Sequence, residues 1–384
     1  MVRNKLVMLV LALTLAATAC TAEEGGGGNE GEGAVEGAQD ATATEEGAGE
    51  AGGAAGQASG ILQAVQDRGT LRCGVNDAVP GFGFTDAEGN FSGFDIDFCK
   101  VIAAAVLGDA EAVEFRPLTA EQRFTALQSG EIDVLVRNTT WTSSRDGSEG
   151  ATFLTTTFYD GQGMMVRADS EFETLEDMQN TDICVLSGTT TELNLSSRFA
   201  AGDIQYSPVP FEDNETLQQA FEQGRCDGWT SDKSQLAGVR SNLAEGPETL
   251  RILDETFSKE PLGPLVRDGD QPWAQAVDWA IIATIQAEEF EITSENVNEM
   301  TDSDNPEVLR FLGQPVAEEE GADPAVFDPG LGLPTDFAVQ IIEQVGNYAE
   351  IYDRNVGPDT ALGLERGVNA LYTDGGLHYP PPYR

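Results

Sequence analysis

Hydroxyl, amide and guanidinium side chains cluster in residues 137–145, whose sequence is RNTTWTSSR. Asn138, Thr140 and Thr142 are spaced two apart, and the run ends on Arg145. A guanidinium presents a fork of N–H donors that matches a carboxylate in two parallel, charge-assisted hydrogen bonds. These residue types at this spacing predict a receptor for a small carboxylate.

The segment before this run is the element that must position it. Residues 131–136 (EIDVLV) alternate polar and apolar side chains and are rich in β-branched residues, which predicts a strand. The polar run then begins at the carboxyl end of that strand, where open α/β sheets bind their ligands.

A second polar cluster, residues 187–191 (SGTTT), lies between a predicted strand at 183–186 and a predicted helix at 192–199. Free backbone N–H groups and the positive end of the helix dipole converge there, so Thr189 and Thr190 could hold an anion. Any capped turn from a strand into a helix looks similar, and Thr191 with Glu192 is also an ordinary helix start. Opposite Arg145, this cluster is predicted to form the second wall of one carboxylate site.

An acidic residue, Asp232, follows a third predicted strand at 227–229. An isolated Asp near an Arg would most often form only a salt bridge. In the same cleft as an anion receptor, however, its carboxylate suits an ammonium group. A ligand with both groups on one carbon is an α-amino acid.

The rest of the pattern alternates strands and helices in two similar series, which predicts two α/β lobes with a cleft between them. Further helices are predicted at 273–288 and 336–345, and the acidic, Pro- and Gly-interrupted stretch 289–334 is predicted to be an insertion with short helices. The first series comprises strands 71–75, 112–115 and 132–136 with helices 94–106 and 120–128; the second comprises strands 164–166, 183–186 and 227–229 with helices 192–199 and 215–223.

The N-terminal region predicts export. Residues 1–19 carry Arg3, Lys5 and an apolar run, which is typical of a secretory signal peptide and too short for a membrane span. Cleavage after it would leave Cys20 as the new N-terminus, so we expect lipidation there. Residues 20–60, dominated by Gly, Ala and Glu, are predicted to be a disordered tether.

Charge and cysteine content exclude several classes of function. With 66 acidic and 21 basic residues, the formal net charge is −45, which argues against nucleic acid or an anionic lipid surface as a partner and suggests a high-salt environment. Four further cysteines imply disulfides in an exported protein, and proximity along the chain favours one of the three possible connectivities. A zinc site is the weaker alternative because there is no CxxC pair. The favoured pairs are Cys73 with Cys99 and Cys184 with Cys226.

From residue 61 to residue 384 the chain resembles the periplasmic solute-binding proteins of ABC importers, in the branch (family 3) that binds general and polar L-amino acids. Seven motifs carry this resemblance: residues 93–99 (GFDIDFC), 137–145 (RNTTWTSSR), 159–162 (YDGQ), 187–194 (SGTTTELN), 224–227 (GRCD), 258–264 (SKEPLGP) and 346–350 (GNYAE).

The resemblance implies a fold and a set of ligand contacts. The fold is the bilobal α/β periplasmic-binding-protein fold (type II), in which two hinge strands join lobe 1 (61–161 and 258–384) to lobe 2 (162–257). Ser231, where relatives often carry a basic or aromatic residue, would leave the pocket roomier, and Trp141 either lines the pocket or packs beside it. By position, Arg145 would bind the α-carboxylate with help from Thr140, Thr142 and the backbone of Asn138. Thr189 and Thr190 of the other lobe would complete that site, and Asp232 would bind the ammonium. Asn76 would face the ligand, and Phe82 would cover its apolar part.

The implied function is capture of an L-amino acid and its delivery to a membrane ABC permease, by a monomer without cofactor, metal or enzymatic activity. It would be anchored by lipid on the outer face of the cytoplasmic membrane, or periplasmic. Two alternatives stay open: a tethered amino-acid sensor, and an extracytoplasmic dehydratase acting on carboxylates. The dehydratase would need a group that moves protons, and the sole histidine, His378, lies in the C-terminal tail.

Overall fold

The computed structural model describes residues 60–317 and 322–384. The predicted signal peptide, Cys20 and all but the last residue of the predicted tether lie outside these ranges. Among the described residues, no helix combines the length and the apolar character needed to cross a membrane.

The chain first forms a series of short strands with helices between them, numbered here in chain order. These elements are α1 (Gly60–Arg68), β1 (Leu71–Val75), β2 (Ala78–Val79), β3 (Gly83–Thr85), β4 (Phe91–Ser92), α2 (Phe94–Leu107), β5 (Val113–Pro117), α3 (Arg123–Ser129), β6 (Val134–Leu135), α4 (Ser143–Ser148), β7 (Ala151–Phe153) and β8 (Phe158–Asp160).

A second α/β series follows, and the chain then returns to pack against the first. The second series comprises β9 (Gln162–Arg167), β10 (Thr181–Leu186), α5 (Thr190–Ala201), β11 (Tyr206–Phe211), α6 (Asn214–Glu222), β12 (Gly228–Asp232), α7 (Lys233–Ser241) and β13 (Leu250–Ile252). The returning segment comprises β14 (Glu260–Leu262), β15 (Leu265–Arg267), α8 (Gln271–Glu289), α9 (Val297–Met300), α10 (Pro306–Phe311), α11 (Phe337–Gln344) and α12 (Tyr348–Asn355).

Two five-stranded sheets define the two lobes. Lobe 1 contains the sheet β5-β1-β6-β15-β7, and lobe 2 contains the sheet β11-β10-β12-β9-β13. In each sheet the first three strands are parallel and the fourth, β15 or β9, is antiparallel to its neighbours. The predicted bilobal α/β fold is confirmed.

Strands β8 and β14 connect the lobes. They pair antiparallel with each other, with Asp160 opposite Glu260, and belong to neither of the two large sheets. The chain enters lobe 2 directly after β8 and re-enters lobe 1 directly after β14. A pair of short strands between two rigid sheets is the element about which such lobes can rotate.

The core of lobe 1 is built around α2, a largely apolar helix. Eleven of its residues are buried because it lies between the sheet and the helices α8 and α11. A disulfide joins Cys73 of β1 to Cys99 of α2, and a second joins Cys184 of β10 to Cys226 just before β12. These are the pairs that proximity in sequence favoured.

Helices α7 and α12 are among those that the sequence did not predict. The segment of α7 (KSQLAGVRS) shows little apolar periodicity, yet six of its nine residues are buried, because it packs against lobe 1 as well as lobe 2. A Cβ atom at Gly238 would overlap the carbonyl oxygen of Pro80 in lobe 1, so the lobes approach closely there. The N-terminus of helix α12 is stabilised by a capping box between Asn347 and Glu350, two residues of the motif 346–350 (GNYAE).

Candidate functional site

A small cavity lies between the lobes at the carboxyl ends of the parallel strands. We call it the inner cavity. Its walls come from the β6–α4 segment of lobe 1 and from the N-termini of α5 and α7 in lobe 2. Seven of the nine predicted ligand-binding residues line it: Asn76, Asn138, Thr140, Arg145, Thr189, Thr190 and Asp232.

Arg145 is held in place by its own short helix. The side chain of Thr142 caps α4 by accepting a hydrogen bond from the Arg145 backbone N–H at 3.2 Å. The Arg145 Nη1 atom donates to the Thr140 carbonyl at 3.0 Å, and its guanidinium lies 5.6 Å from the ring centre of Phe124. Burial lowers the pKa of Arg145, while Glu260 and Asp232 act in the opposite direction. The group stays charged and presents its remaining donors to the cavity.

A chain of hydroxyls connects the two walls to the hinge. Thr190 donates to the Glu260 carboxylate at 2.9 Å, and the Thr140 and Thr190 hydroxyls are 3.3 Å apart. Because a hydroxyl has one proton and Thr190 gives its own to Glu260, Thr140 must be the donor to Thr190. Glu260, almost fully buried on β14, also accepts from Asn194 and Ser258. One carboxylate on a hinge strand therefore orients the hydroxyls of both lobes.

Asp232 is a buried carboxylate with an unsatisfied oxygen. It ends β12, is 5% exposed, and its Oδ1 atom has no hydrogen-bond partner among the described residues. Burial raises the pKa of Asp232 well above its usual value, and the neighbouring Asp160 and Glu260 carboxylates raise it further. Such a group favours a cationic donor at this end of the cavity.

Four side-chain amides form a hydrogen-bonded chain across the cleft. Asn76 donates to Asn138 at 2.6 Å, Asn138 donates to Gln235 of α7 at 3.2 Å, and Gln235 donates to Asn214 of α6 at 2.9 Å. The Asn138 backbone adopts a positive φ of 31° and donates its N–H to the buried Asp95 carboxylate at 2.8 Å. The two lobes are thus in contact across the site, in a closed arrangement.

Two further buried arginines line the inner cavity, and the sequence analysis missed both as ligand contacts. Arg123 of α3 and Arg137, directly after the predicted strand, are 3% and 4% exposed. Burial lowers both pKa values, that of Arg137 to about 10, and the charge of Arg145 lowers them further. Arg137 could have been predicted as a cavity residue, because it is the first residue of the polar run 137–145, directly after a predicted strand. Arg123 could not, because nothing in the local sequence distinguishes it from an ordinary residue at the start of a helix.

Two predicted contacts are not in the cavity, and Trp141 is also outside it. Phe82 is buried in the core of lobe 1, where its ring packs 5.1 Å from that of Phe158, because the β2–β3 turn directs it inward. Thr142 does not line the cavity, and its hydroxyl caps α4 and lies 3.2 Å from the Ser144 hydroxyl. Trp141 is 42% exposed and stacks on Phe153 beside the pocket.

His378 takes no part in the cavity. It is buried against the ring of Tyr348 at 4.3 Å, and burial lowers its pKa to about 3, so it is neutral at physiological pH. Within residues 60–317 and 322–384, no cluster of three or more His, Cys, Asp or Glu side chains is arranged to hold a metal ion.

The cavity wall carries buried charges of both signs. The guanidinium groups of Arg123, Arg137 and Arg145 line it together with the Asp232 carboxylate, and the carboxylates of Asp160 and Glu260 lie close enough to Asp232 to raise its pKa. A zwitterion could pair with charges of both signs, which removes the cost of leaving buried charges unpaired.

Residues 71–296 match the model of the bacterial extracellular solute-binding proteins, family 3, which spans more than half of the chain. The chain belongs to that family. This solute-binding protein is 48% identical over 323 residues to the general L-amino acid-binding periplasmic protein AapJ of Rhizobium johnstonii, covering 84% of this chain and 92% of that protein. It is 46% identical over 330 residues to the glutamate/glutamine/aspartate/asparagine-binding protein BztA of Rhodobacter capsulatus, covering 85% and 94%.

A solved structure also matches the solute-binding protein over most of its length. It is an ABC transporter periplasmic binding protein from Brucella ovis with glutathione bound, 46% identical, with a TM-score of 0.79 and coverage of 84% of this chain and 99% of that one.

Proposed function

We propose that this protein captures L-amino acids in the inner cavity and delivers them to an ABC permease in the membrane. The observation that carries the proposal is a buried cavity lined by both the Arg145 guanidinium and the Asp232 carboxylate, whose Oδ1 atom has no hydrogen-bond partner among the described residues. The α-carboxylate would bind Arg145 and the Thr189–Thr190 helix start, and the ammonium would donate to Asp232. Asn76, Asn138 and Thr140 complete the proposed contacts.

The comparisons support the ligand class. Two relatives that match most of this chain are named for binding amino acids, and glutathione, the ligand of the Brucella ovis protein, carries a free α-amino acid group at its γ-glutamyl end. A site built for the carboxylate and ammonium of an α-carbon would accept all of these ligands. No step of chemistry is proposed for it, since its charged groups are arranged to hold a zwitterion.

We further propose that binding is coupled to closure. Thr140 and Asn138 of lobe 1 contact Thr190 and Gln235 of lobe 2 only when the lobes meet, so a ligand that bridges them stabilises the closed state. The proposed lobe boundaries, 161/162 and 257/258, fall beside the hinge strands β8 and β14. The signal peptide, the lipid on Cys20 and the monomeric state remain part of this proposal.

A thermal-unfolding screen tests the function. The purified protein is first stripped of ligand by unfolding and refolding, and is then heated with each L-amino acid, several D-amino acids and simple carboxylates. A ligand at a hundred times its dissociation constant should stabilise the folded state by about 2.7 kcal/mol. Stabilisation by L-amino acids, and by neither D-forms nor amine-free acids, is the expected result.

The other outcomes are decisive as well. Stabilisation by amine-free carboxylates alone would keep the anion site and remove the role of Asp232. Stabilisation by none of the compounds would remove the proposed function.

A further inference from the structure

Helix α7 of lobe 2 packs against lobe 1 at a residue without a side chain. A Cβ atom at Gly238 would lie 2.3 Å from the Pro80 carbonyl oxygen and 3.7 Å from the Cδ2 atom of Leu362. Gly238 is buried, whereas Pro80 and Leu362 belong to lobe 1 and are partly exposed. We call these three residues the closure contact. None of them lines the inner cavity, so the contact lies outside the proposed ligand site.

The lobe 1 side of the closure contact is rigid. Pro80 lies in the turn between β2 and β3, in which Gly81 adopts a positive φ of 86°. The Gly81 and Phe82 carbonyls accept hydrogen bonds from the first two backbone N–H groups of α2, at 2.9 and 3.0 Å. The Phe82 side chain is buried in the core of lobe 1. The Pro80 carbonyl therefore cannot move aside without disrupting the turn and the start of α2.

The lobe 2 side of the closure contact is fixed as well, and it carries groups of the ligand site. Leu236 and Val239 anchor α7 in the core of lobe 2. Asp232 directly precedes the helix, and Gln235 lies one turn before Gly238. A displacement of α7 away from lobe 1 would therefore move the proposed ammonium acceptor and one amide of the chain that crosses the cleft.

A side chain at position 238 would hold the lobes apart. Non-bonded contacts of a Cβ atom under 3.0 Å essentially never occur, so a contact of 2.3 Å with a rigid carbonyl must open. Two interactions between the lobes are already long, 3.2 Å from Asn138 to Gln235 and 3.3 Å between the Thr140 and Thr190 hydroxyls. A separation of that size would take both beyond hydrogen-bonding distance.

We propose that Gly238 is a positioning residue for ligand capture: because it has no side chain, α7 can pack against the Pro80 carbonyl, and this contact sets the affinity for every ligand through closure. The inference rests on the proposed function of the inner cavity. The closure contact touches no ligand in that cavity, so it acts on the closing equilibrium, which all ligands share. Apparent affinity then scales with the fraction of the protein that can close.

Gly238→Ala tests the inference by calorimetry with L-glutamine and L-alanine, or with the two L-amino acids that stabilise the wild type most if either of these does not bind. We expect both dissociation constants to rise at least about tenfold, by factors that agree within about twofold, since hydrogen bonds between the lobes are lost. Alanine suits a helix better than glycine, so the unfolding temperature of the ligand-free variant should be no lower than that of the wild type.

Gly147→Ala is the matched control. It makes the same substitution inside a helix, α4, at an exposed glycine whose added Cβ atom would meet no other atom within 4 Å. Both dissociation constants should stay within about twofold of the wild type.

Kinetics separate an effect on closure from a general structural defect. The open protein still presents lobe 1 to the ligand, so stopped-flow fluorescence should show a faster dissociation of Gly238→Ala with an association rate within about threefold of the wild type. Leu362→Ala removes apolar surface from the same contact without introducing a clash, and should weaken both ligands at least about threefold. This second variant decides the inference if Gly238→Ala does not fold.

Three results would overturn the inference: wild-type affinity of Gly238→Ala, weakened binding of only one of the two ligands, or a loss of affinity that lies entirely in the association rate. Each leaves the proposed function intact, because the wild type still binds its ligands. Failure of the wild type to bind any L-amino acid would remove the proposed function and the inference with it.

Discussion

Arg145 is the residue on which ligand affinity should depend most. Replacing it with Gln would leave the ligand carboxylate in a buried cleft without its charge partner, and breaking a buried pair costs about 3–5 kcal/mol. We therefore expect Arg145→Gln to raise the dissociation constant for L-glutamine by at least two orders of magnitude in calorimetry. Arg225→Gln, at an exposed arginine outside the cavity, is the control. Near-wild-type affinity of Arg145→Gln would show that the carboxylate binds elsewhere.

Asp95 should make the stability of the ligand-free protein depend on pH. Burial raises its pKa from 3.8 to about 6, although it accepts a hydrogen bond from the Asn138 N–H and lies near Arg137. Between these two pH values the folded state binds more protons than the unfolded state, so this contribution to stability is present below pH 3.8 and is lost as pH rises through 6.

Asp95→Asn removes that titration and keeps an oxygen acceptor for Asn138. We expect the variant to gain stability relative to wild type as pH rises from 4 to 7.5, by up to roughly 3 kcal/mol, measured by urea unfolding. Glu299→Gln, at an exposed carboxylate on α9, is the control for loss of one negative charge. A difference between Asp95→Asn and wild type that does not change with pH would contradict the prediction.

At the scale of elements, we expect the hinge strand β14 to couple the site to closure through Glu260. Its carboxylate accepts from Thr190, Asn194 and Ser258, all of which belong to lobe 2 or to its exit. Glu260→Gln replaces one acceptor oxygen with a donor, so at least one of these hydrogen bonds is lost, and the attraction for the ligand ammonium weakens. We expect the dissociation constant to rise about tenfold, since a hydrogen bond to a charged group contributes about 1.5–3 kcal/mol.

The neighbouring Lys259 provides the control for that experiment. It lies on the same segment and is exposed, so Lys259→Gln should leave affinity unchanged. Equal affinity of Glu260→Gln and wild type would mean that the hydroxyl chain is set by lobe contacts alone.

At the scale of the whole molecule, the net charge of −45 should make stability depend on salt. Repulsion among carboxylates acts over about 10 Å at 0.1 M salt and about 3 Å at 1 M. We expect the unfolding temperature of the ligand-free protein to rise by several degrees between 0.05 and 1 M NaCl, as measured by calorimetry, because the compact state suffers more self-repulsion than the extended chain. KCl at equal ionic strength should have the same effect, and an unfolding temperature independent of salt would argue against it.

Local patterns in the sequence determined much of this protein. The alternation of strands and helices predicted two α/β lobes, because each element carries its own periodicity and its own caps. Asp232 was identifiable because it ends a strand, Thr189 because it starts a helix, and Arg145 because it closes the polar run that follows a strand; the ends of parallel strands meet at one edge of a sheet. The motifs at residues 137–145, 187–194 and 258–264 identified the solute-binding protein family.

Only the tertiary structure decided which side chains share the cavity. Phe82 was assigned to the ligand but packs in the core, because the direction of a side chain in the turn between β2 and β3 is set by the elements around it. Arg123, Arg137 and Glu260 reach the site through contacts between residues far apart in the chain, such as that of Glu260 with Thr190. The inner cavity exists only where the two lobes meet, and no local pattern encodes a space between two surfaces. The periodicity of the sequence specifies each helix and strand, whereas burial and the relative position of the lobes determine which residues of different elements come into contact.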